Sequence, residues 1–202
     1  MTNTKFQIKN KYTINSNSDT TVIEIDNFNV KTDYQYFAAP ELNENVFLTA
    51  KLNNWEKYNL LAGEAYIYFE GNFTGKTIIN PTIIAVDGLD ISLGVDPNLI
   101  IKREQLNSFK SKSLIGNNQI LNYKYKISIK NNKQSAVKVI MNDRIPVSQN
   151  KEIKIDHIDT GNTEYNNKTG IMKWTANILP QGKDEKEFSY QVKYTKGKHI
   201  NL

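Results

Sequence analysis

Cysteine is missing from this sequence altogether. Its absence excludes disulfides, thiol nucleophiles and cysteine-based zinc sites. It leaves oxidising and reducing compartments equally open. Histidine is almost as scarce, with only His157 and His199. Two isolated imidazoles do not furnish a histidine-rich metal site, so no metal and no cofactor is expected. Long apolar runs are lacking too. None approaches the roughly 18 residues that a helix needs to cross a bilayer, so no transmembrane segment is expected. The opening MTNTKFQIKNKY has no apolar core of the kind a secretory signal carries. The expectation is a cytoplasmic protein or a piece of a longer chain. Windows of helical period are short as well, and only residues 55–61 and 104–112 leave room for a turn each.

What is present is a polar chain rich in large rings. Its 202 residues fit one large domain or two small ones. A chain of that size buries roughly 70% of its unfolded surface without any staple. The mean hydropathy is −0.56 and the hydrophobic fraction 39%. Eleven Tyr, eight Phe and two Trp nevertheless supply a core. Asn doublets recur at Asn53-Asn54, Asn117-Asn118, Asn131-Asn132 and Asn166-Asn167, and Asn suits turns because it tolerates the left-handed region. The net charge of +5 is unevenly spread, with 9 basic and 13 acidic residues in 1–105 against 17 and 8 in 106–202. A basic half can attract nucleic acid. Here its lysines stand singly along strands, as in Lys124, Lys126 and Lys130, so no nucleic-acid partner is expected.

Alternation of apolar and polar residues dominates the chain. Thr21–Asp26, Val46–Leu52, Tyr66–Glu70, Tyr123–Ile129 and Phe188–Tyr194 read as strands with one buried face. Gly71-Asn72 marks a hairpin turn between Tyr66–Glu70 and Phe73–Ile79. Residues 166–170 and Pro180-Gln181-Gly182 punctuate the second half. In Met172–Ile178 the even positions are apolar, which turns Trp174 inward with Met172, Ala176 and Ile178. The polar stretch QLNSFKSKSLIGNNQ reads as a linker. The expected fold is all-β, built of antiparallel β-sandwich modules. Residues 1–105 form the first, 106–119 the linker, and 120–202 a second module of immunoglobulin or fibronectin type, with strands near 120–131, 135–145, 151–158, 171–179 and 186–196.

No catalytic motif stands out. G-x-S-x-G, H-E-x-x-H and the P-loop are all absent. His157 faces the same way as Ile153 and Ile155 by alternation, as a packed or edge histidine does. His199 lies in the tail beside Lys198. Asp87–Asp90 and Gly94–Asn98 are acid-bearing loops, but neither has calcium-loop spacing and both read as turns. Glycosidase chemistry needs two facing carboxylates. Glu41, Glu64, Glu70, Asp87, Asp90 and Asp96 are available, and the sequence does not say whether any two converge. Aromatics outside the clear strand interiors are the remaining signal. Trp55, Tyr58, Tyr36 and Phe37 are the candidate binding residues, since exposed rings are what protein and glycan interfaces use. Trp55 is equally suited to capping the sandwich.

Several motifs in order resemble a known family. They are Tyr36–Leu42 (YFAAPEL), Val46–Trp55, Leu60–Ala65, Gly71–Lys76 (GNFTGK), Leu89–Asp96 (LDISLGVD) and Ile100–Arg103 in the first half. Asn131-Asn132, Arg144–Ser148 and Thr169–Trp174 follow in the second. Over residues 5–196 the chain resembles the conserved C-terminal domain of mucoidy inhibitor MuiA-like proteins. It departs at Ala62 and Thr195, two turn positions where that family favours Pro. The resemblance implies a domain of unknown function with no catalytic residues to carry over. It also implies an extracytoplasmic setting, and a fragment of longer proteins that carry a signal peptide, another β domain and a coiled coil. The expectation is a non-catalytic cell-envelope module that binds a protein or glycan, or acts as a spacer. The alternative is a carboxylate-dependent hydrolase acting on envelope polysaccharide. Tyr-rich edge strands such as Tyr123–Ile129 also raise self-assembly.

Overall fold

The computed structural model describes residues 5, 7–8, 11–14, 16, 20–80, 89–106, 112–115 and 117–197. Two compact units divide it, Met1–Lys31 and Thr32–Leu202. The described residues of the first unit contain no strand. Thr21–Asp26, expected to be a strand, belongs to no sheet, with Val22 and Ile25 exposed. Alternation alone does not make a strand, because unpaired backbone groups need a neighbour to bond.

The described residues of the second unit form thirteen strands: β1 (Thr32–Ala39), β2 (Asn43–Leu52), β3 (Gly63–Phe69), β4 (Asn72–Ile79), β5 (Leu89–Val95), β6 (Leu99–Gln105), β7 (Lys112–Ile115), β8 (Asn118–Asn131), β9 (Val137–Arg144), β10 (Ile153–Asp159), β11 (Glu164–Tyr165), β12 (Ile171–Ile178) and β13 (Lys183–Thr195). One sheet runs β11-β12-β9-β1-β2-β5 and the other β10-β13-β8-β6, with β7 also on β8. Strands β3 and β4 form a separate hairpin. Pairing is antiparallel except between β1 and β9.

The two larger sheets share one core. Val46, Val139, Met141 and Trp174 come from the first, and Ile101, Ile127, Phe188 and Val192 from the second. This is a β-sandwich in which strands of both sequence halves lie in both sheets. The boundary expected at 106–119 is therefore not where the chain divides. Residues 112–115 are themselves a strand paired to β8, and the edge strands β5 and β6 of the first half complete sheets begun by the second. The helical turn expected within 104–112 is absent where described, since 104–105 belong to β6 and 112 to β7; residues 107–111 lie outside the described residues. The other expected turn exists as a 3₁₀ turn, Trp55–Tyr58.

Trp174 points inward beside Phe188 with ring centroids 6.1 Å apart, and Met172, Ala176 and Ile178 are buried with it. On the outer face of the second sheet, Lys124 and Lys126 meet Glu187 and Glu185 at 2.7 and 2.9 Å. Two polar pins cross the sandwich. Arg103 on β6 grips Asp143 on β9 through Nε at 2.9 Å and a second nitrogen at 3.3 Å. The guanidinium lies 3.9 Å from the Tyr125 ring centroid. Burial pushes the Asp143 carboxyl up against the pull of Arg103. The second pin is Asn131, fully buried. Its amide donates to the Ser135 and Leu179 carbonyls at 2.9 and 3.0 Å, and its oxygen accepts the Lys133 N–H at 2.9 Å.

Candidate functional site

The β3–β4 hairpin presents large side chains to solvent. Its turn is Glu70-Gly71, both at positive φ (50° and 80°), one residue earlier than the Gly71-Asn72 turn the sequence indicated. Two left-handed residues match the twist of a tight hairpin. Glu64, Tyr66 and Tyr68 of β3 are exposed, as are Phe73, Lys76 and Ile78 of β4, whereas Ala65, Ile67, Phe69, Thr77 and Ile79 are half-buried. Register pairs Glu64 with Ile78, Tyr66 with Lys76 and Tyr68 with Phe73.

A bulge makes this face aromatic. The register shifts after Ile67, which pairs with Gly75, so Thr74 has no opposite residue. Strict alternation would place Phe73 with Gly75 and Thr77. The extra residue turns it over, beside Tyr68 at 5.6 Å and Tyr66 at 6.3 Å between centroids. Tyr66, Tyr68, Phe73 and Ile78 stand 56, 63, 53 and 78% exposed. The charges on this face satisfy each other, because Lys76 lies 3.1 Å from Glu64 and 4.6 Å from the Tyr66 centroid.

A second feature is a cleft of about 540 Å³ lined by Tyr34, Tyr36, Leu48, Phe69, Lys133 and Val137, among others. At its side Tyr36 Oη donates to Asp96 Oδ2 at 2.9 Å. Lys133 Nζ donates to the same oxygen at 2.5 Å. Asn98 donates its backbone N–H and its side-chain amide to Asp96 Oδ1. Burial pushes the Asp96 carboxyl up, but these hydrogen bonds outweigh it and hold the carboxyl below its ordinary range. Every Asp96 lone-pair direction is thus engaged, which makes the group a tie between β1, the β5–β6 turn and the β8–β9 loop. Of Gly94–Asn98, Gly94 and Val95 belong to β5 and only the remainder is a turn, closed by the Leu99 N–H on the Asp96 carbonyl at 3.2 Å.

The four aromatics singled out from sequence do not form one site. Trp55 is buried at 4% exposure, outside the main core cluster, and is not an exposed surface anchor. Tyr58 is half-buried with Lys57 Nζ 4.9 Å from its ring centroid. Tyr36 faces the core side of β1 and packs against the core. Phe37 faces the opposite side, in a half-exposed row with Ile140, Phe47 and Val95 on neighbouring strands. His157 is exposed at φ 47° in a bulge, because the alternation of β10 breaks between Asp156 and Asp159. Asp87 and His199 lie outside the described residues.

Glu41, Glu44 and Asp143 gather around Arg103 and Arg144, bound to cations or to a backbone N–H. Glu41 pairs with Arg144, Glu64 with Lys76 and Asp96 with Lys133. Among the described residues no three His, Asp or Glu converge as a metal ion would require. Four surface cavities are described, and none is lined by two carboxylates; Asp156 borders one and Glu164 another. No described helix is long and apolar enough to cross a membrane.

A sandwich core with a separate two-stranded hairpin, and no metal-type cluster among the described residues, is the architecture these residues define. Residues 1–196 match the family described as a domain of unknown function, DUF4139, and the chain belongs to that family. Protein F37C4.5 of the nematode Caenorhabditis elegans is similar, 27% identical over 159 residues, which is 77% of this chain. The chain spans 28% of that relative's length.

Proposed function

We propose that this domain is a non-catalytic binding module that holds a protein partner on the exposed face of the β3–β4 hairpin. The observation that carries this reading is the cluster Tyr66, Tyr68, Phe73 and Ile78, gathered on one face by a bulge. Grouped rings at a surface mark interaction sites far more than single exposed residues do. Covering what remains exposed of each releases about 1–2 kcal/mol, enough for anchor residues of an interface. Protein is favoured over glycan by the geometry. The rings are tilted 43° and 61° to Phe73 and make no flat platform for a sugar. Ile78 adds an aliphatic group that has no ring to stack. The paired Glu64 and Lys76 leave no free cation to attract nucleic acid.

A cell-envelope setting is suggested by the resemblance to mucoidy inhibitor proteins alone. A relative in a nematode speaks for wider use of the fold. Hydrolysis of a polysaccharide is disfavoured because none of the four described cavities is lined by two carboxylates. The test is the variant Tyr66→Ser/Tyr68→Ser/Phe73→Ser, compared with the parent protein in quantitative affinity capture and on a glycan array. Thermal stability should change by less than about 1 kcal/mol, because the three rings are largely exposed. Specific protein capture should be lost. Capture that survives the triple change, or loss of glycan binding in place of protein binding, contradicts the proposal.

A further inference from the structure

We propose that the open edge of β10 accepts an extended peptide as an added strand, with alternate apolar side chains in the adjoining groove and an acidic side chain opposite Lys154. This site is independent of the hairpin face. Among the described residues, strand β10 ends its sheet and pairs only with β13. Successive residues of a strand direct their backbone groups to opposite sides. About half of the N–H and C=O groups of Ile153–Asp156 therefore face a side where no described strand lies, with the Ile153 N–H already bonded to the Asn150 carbonyl at 3.0 Å. Such an edge is a template for another chain.

The groove beside that edge has a volume of about 760 Å³ and is lined by Val147, Ile153, Ile155 and Tyr165, among others. Ile153, Ile155 and Tyr165 also pack on the main core, so an apolar side chain entering the groove extends that core. Two polar features specify the occupant further. Asp156, also lining the groove, has a buried Oδ1 with no donor among the described residues, an acceptor that an incoming N–H can satisfy once the carboxylate turns toward the groove. Lys154 pairs in register with Lys193, and neither has an acid within ion-pair distance among the described residues. Elsewhere on this face lysines meet glutamates across strands, as Lys124 and Lys126 do. A strand that places an acid opposite Lys154 completes the pattern. The bulge after Asp156 ends regular pairing, so the occupant pairs over a short stretch.

The probe is acetyl-Thr-Val-Glu-Val-Glu-Val-Thr-amide, titrated into the ¹⁵N-labelled full chain. Amide signals of Ile153–Asp156, Val147 and Tyr165 should shift, and hydrogen exchange along β10 should slow. Replacing the glutamates by lysine, or Lys154→Glu in the protein, should weaken binding about fivefold or more. N-methylation of alternate peptide bonds should abolish it, since it removes the pairing donors. Lys154 is exposed, so Lys154→Glu should leave the fold intact, and Tyr68→Ala should leave peptide affinity unchanged. Unshifted β10 signals at saturating peptide, or equal binding of the N-methylated peptide, overturns the proposal.

Discussion

Asp143 has a side chain with no exposure at all, and Arg103 retains 19%. Removing one partner leaves the other charge without compensation. Asp143→Ala should therefore cost about 3–5 kcal/mol in urea unfolding. The joint change Arg103→Met/Asp143→Leu should restore much of the loss. Failure of that restoration would mean that the pair matters beyond its charge. The buried Asp143 and the half-buried Asp96 respond to pH in opposite senses. The Asp96 carboxyl is held below its ordinary value of 3.8, so the unfolded chain binds its proton more readily. Its contribution is present above that value and disappears as pH falls through the lowered one. The Asp143 carboxyl is raised above 3.8, so its contribution is present below that value and disappears as pH rises through the raised one. Asp96→Asn should accordingly blunt the loss of stability on acidification, read from urea midpoints across the acid range. An unchanged acid limb would contradict the assigned tie. Asn131→Ala should cost about 2–3 kcal/mol, since it strands buried carbonyls and the Lys133 N–H.

Strand β12 puts four side chains into the core at successive even positions. Trp174→Ala should cost about 3–5 kcal/mol, and an unaltered thermal midpoint would contradict its placement. The turn that precedes β12 depends on Gly170, at φ 75°, where an added Cβ would lie 2.0 Å from the Ile145 carbonyl oxygen. Gly170→Ala should thus destabilise by at least about 2 kcal/mol, whereas Gly71→Ala meets nothing within 4 Å and pays only for its φ. These elements were legible from period-two patterning, which located β8, β9, β10, β12 and β13 within a few residues. What patterning missed were departures from period two. The bulge at Ile67 turns Phe73 over, and the bulge at Asp156 exposes His157. Isolated Gly75 inside a strand pattern was the available sign of the first. Trp55 was unreadable for a different reason. A single ring in a short 3₁₀ turn has no periodicity to say which way it faces, and here it faces in.

At the scale of the molecule, the polar stretch at 106–119 resembled a linker because its composition is that of exposed chain. Pairing, which composition does not encode, instead sends β6 and β8 into one sheet and β1 and β9 into the other. A long-range parallel contact such as Tyr36 with Val139 leaves no local mark in sequence. The consequence is that neither half closes a core alone: residues 120–202 lack β1, β2, β5 and β6, and so lose Ala38, Val46, Leu99 and Ile101 from the shared interior. The direct measurement is to express residues 120–202 alone and record their ¹H–¹⁵N spectrum beside that of residues 32–202. One sandwich built from both halves requires collapsed, poorly dispersed amide signals for the shorter fragment and a single cooperative unfolding transition for the longer. A well-dispersed spectrum from residues 120–202, with its own melting transition, would contradict it.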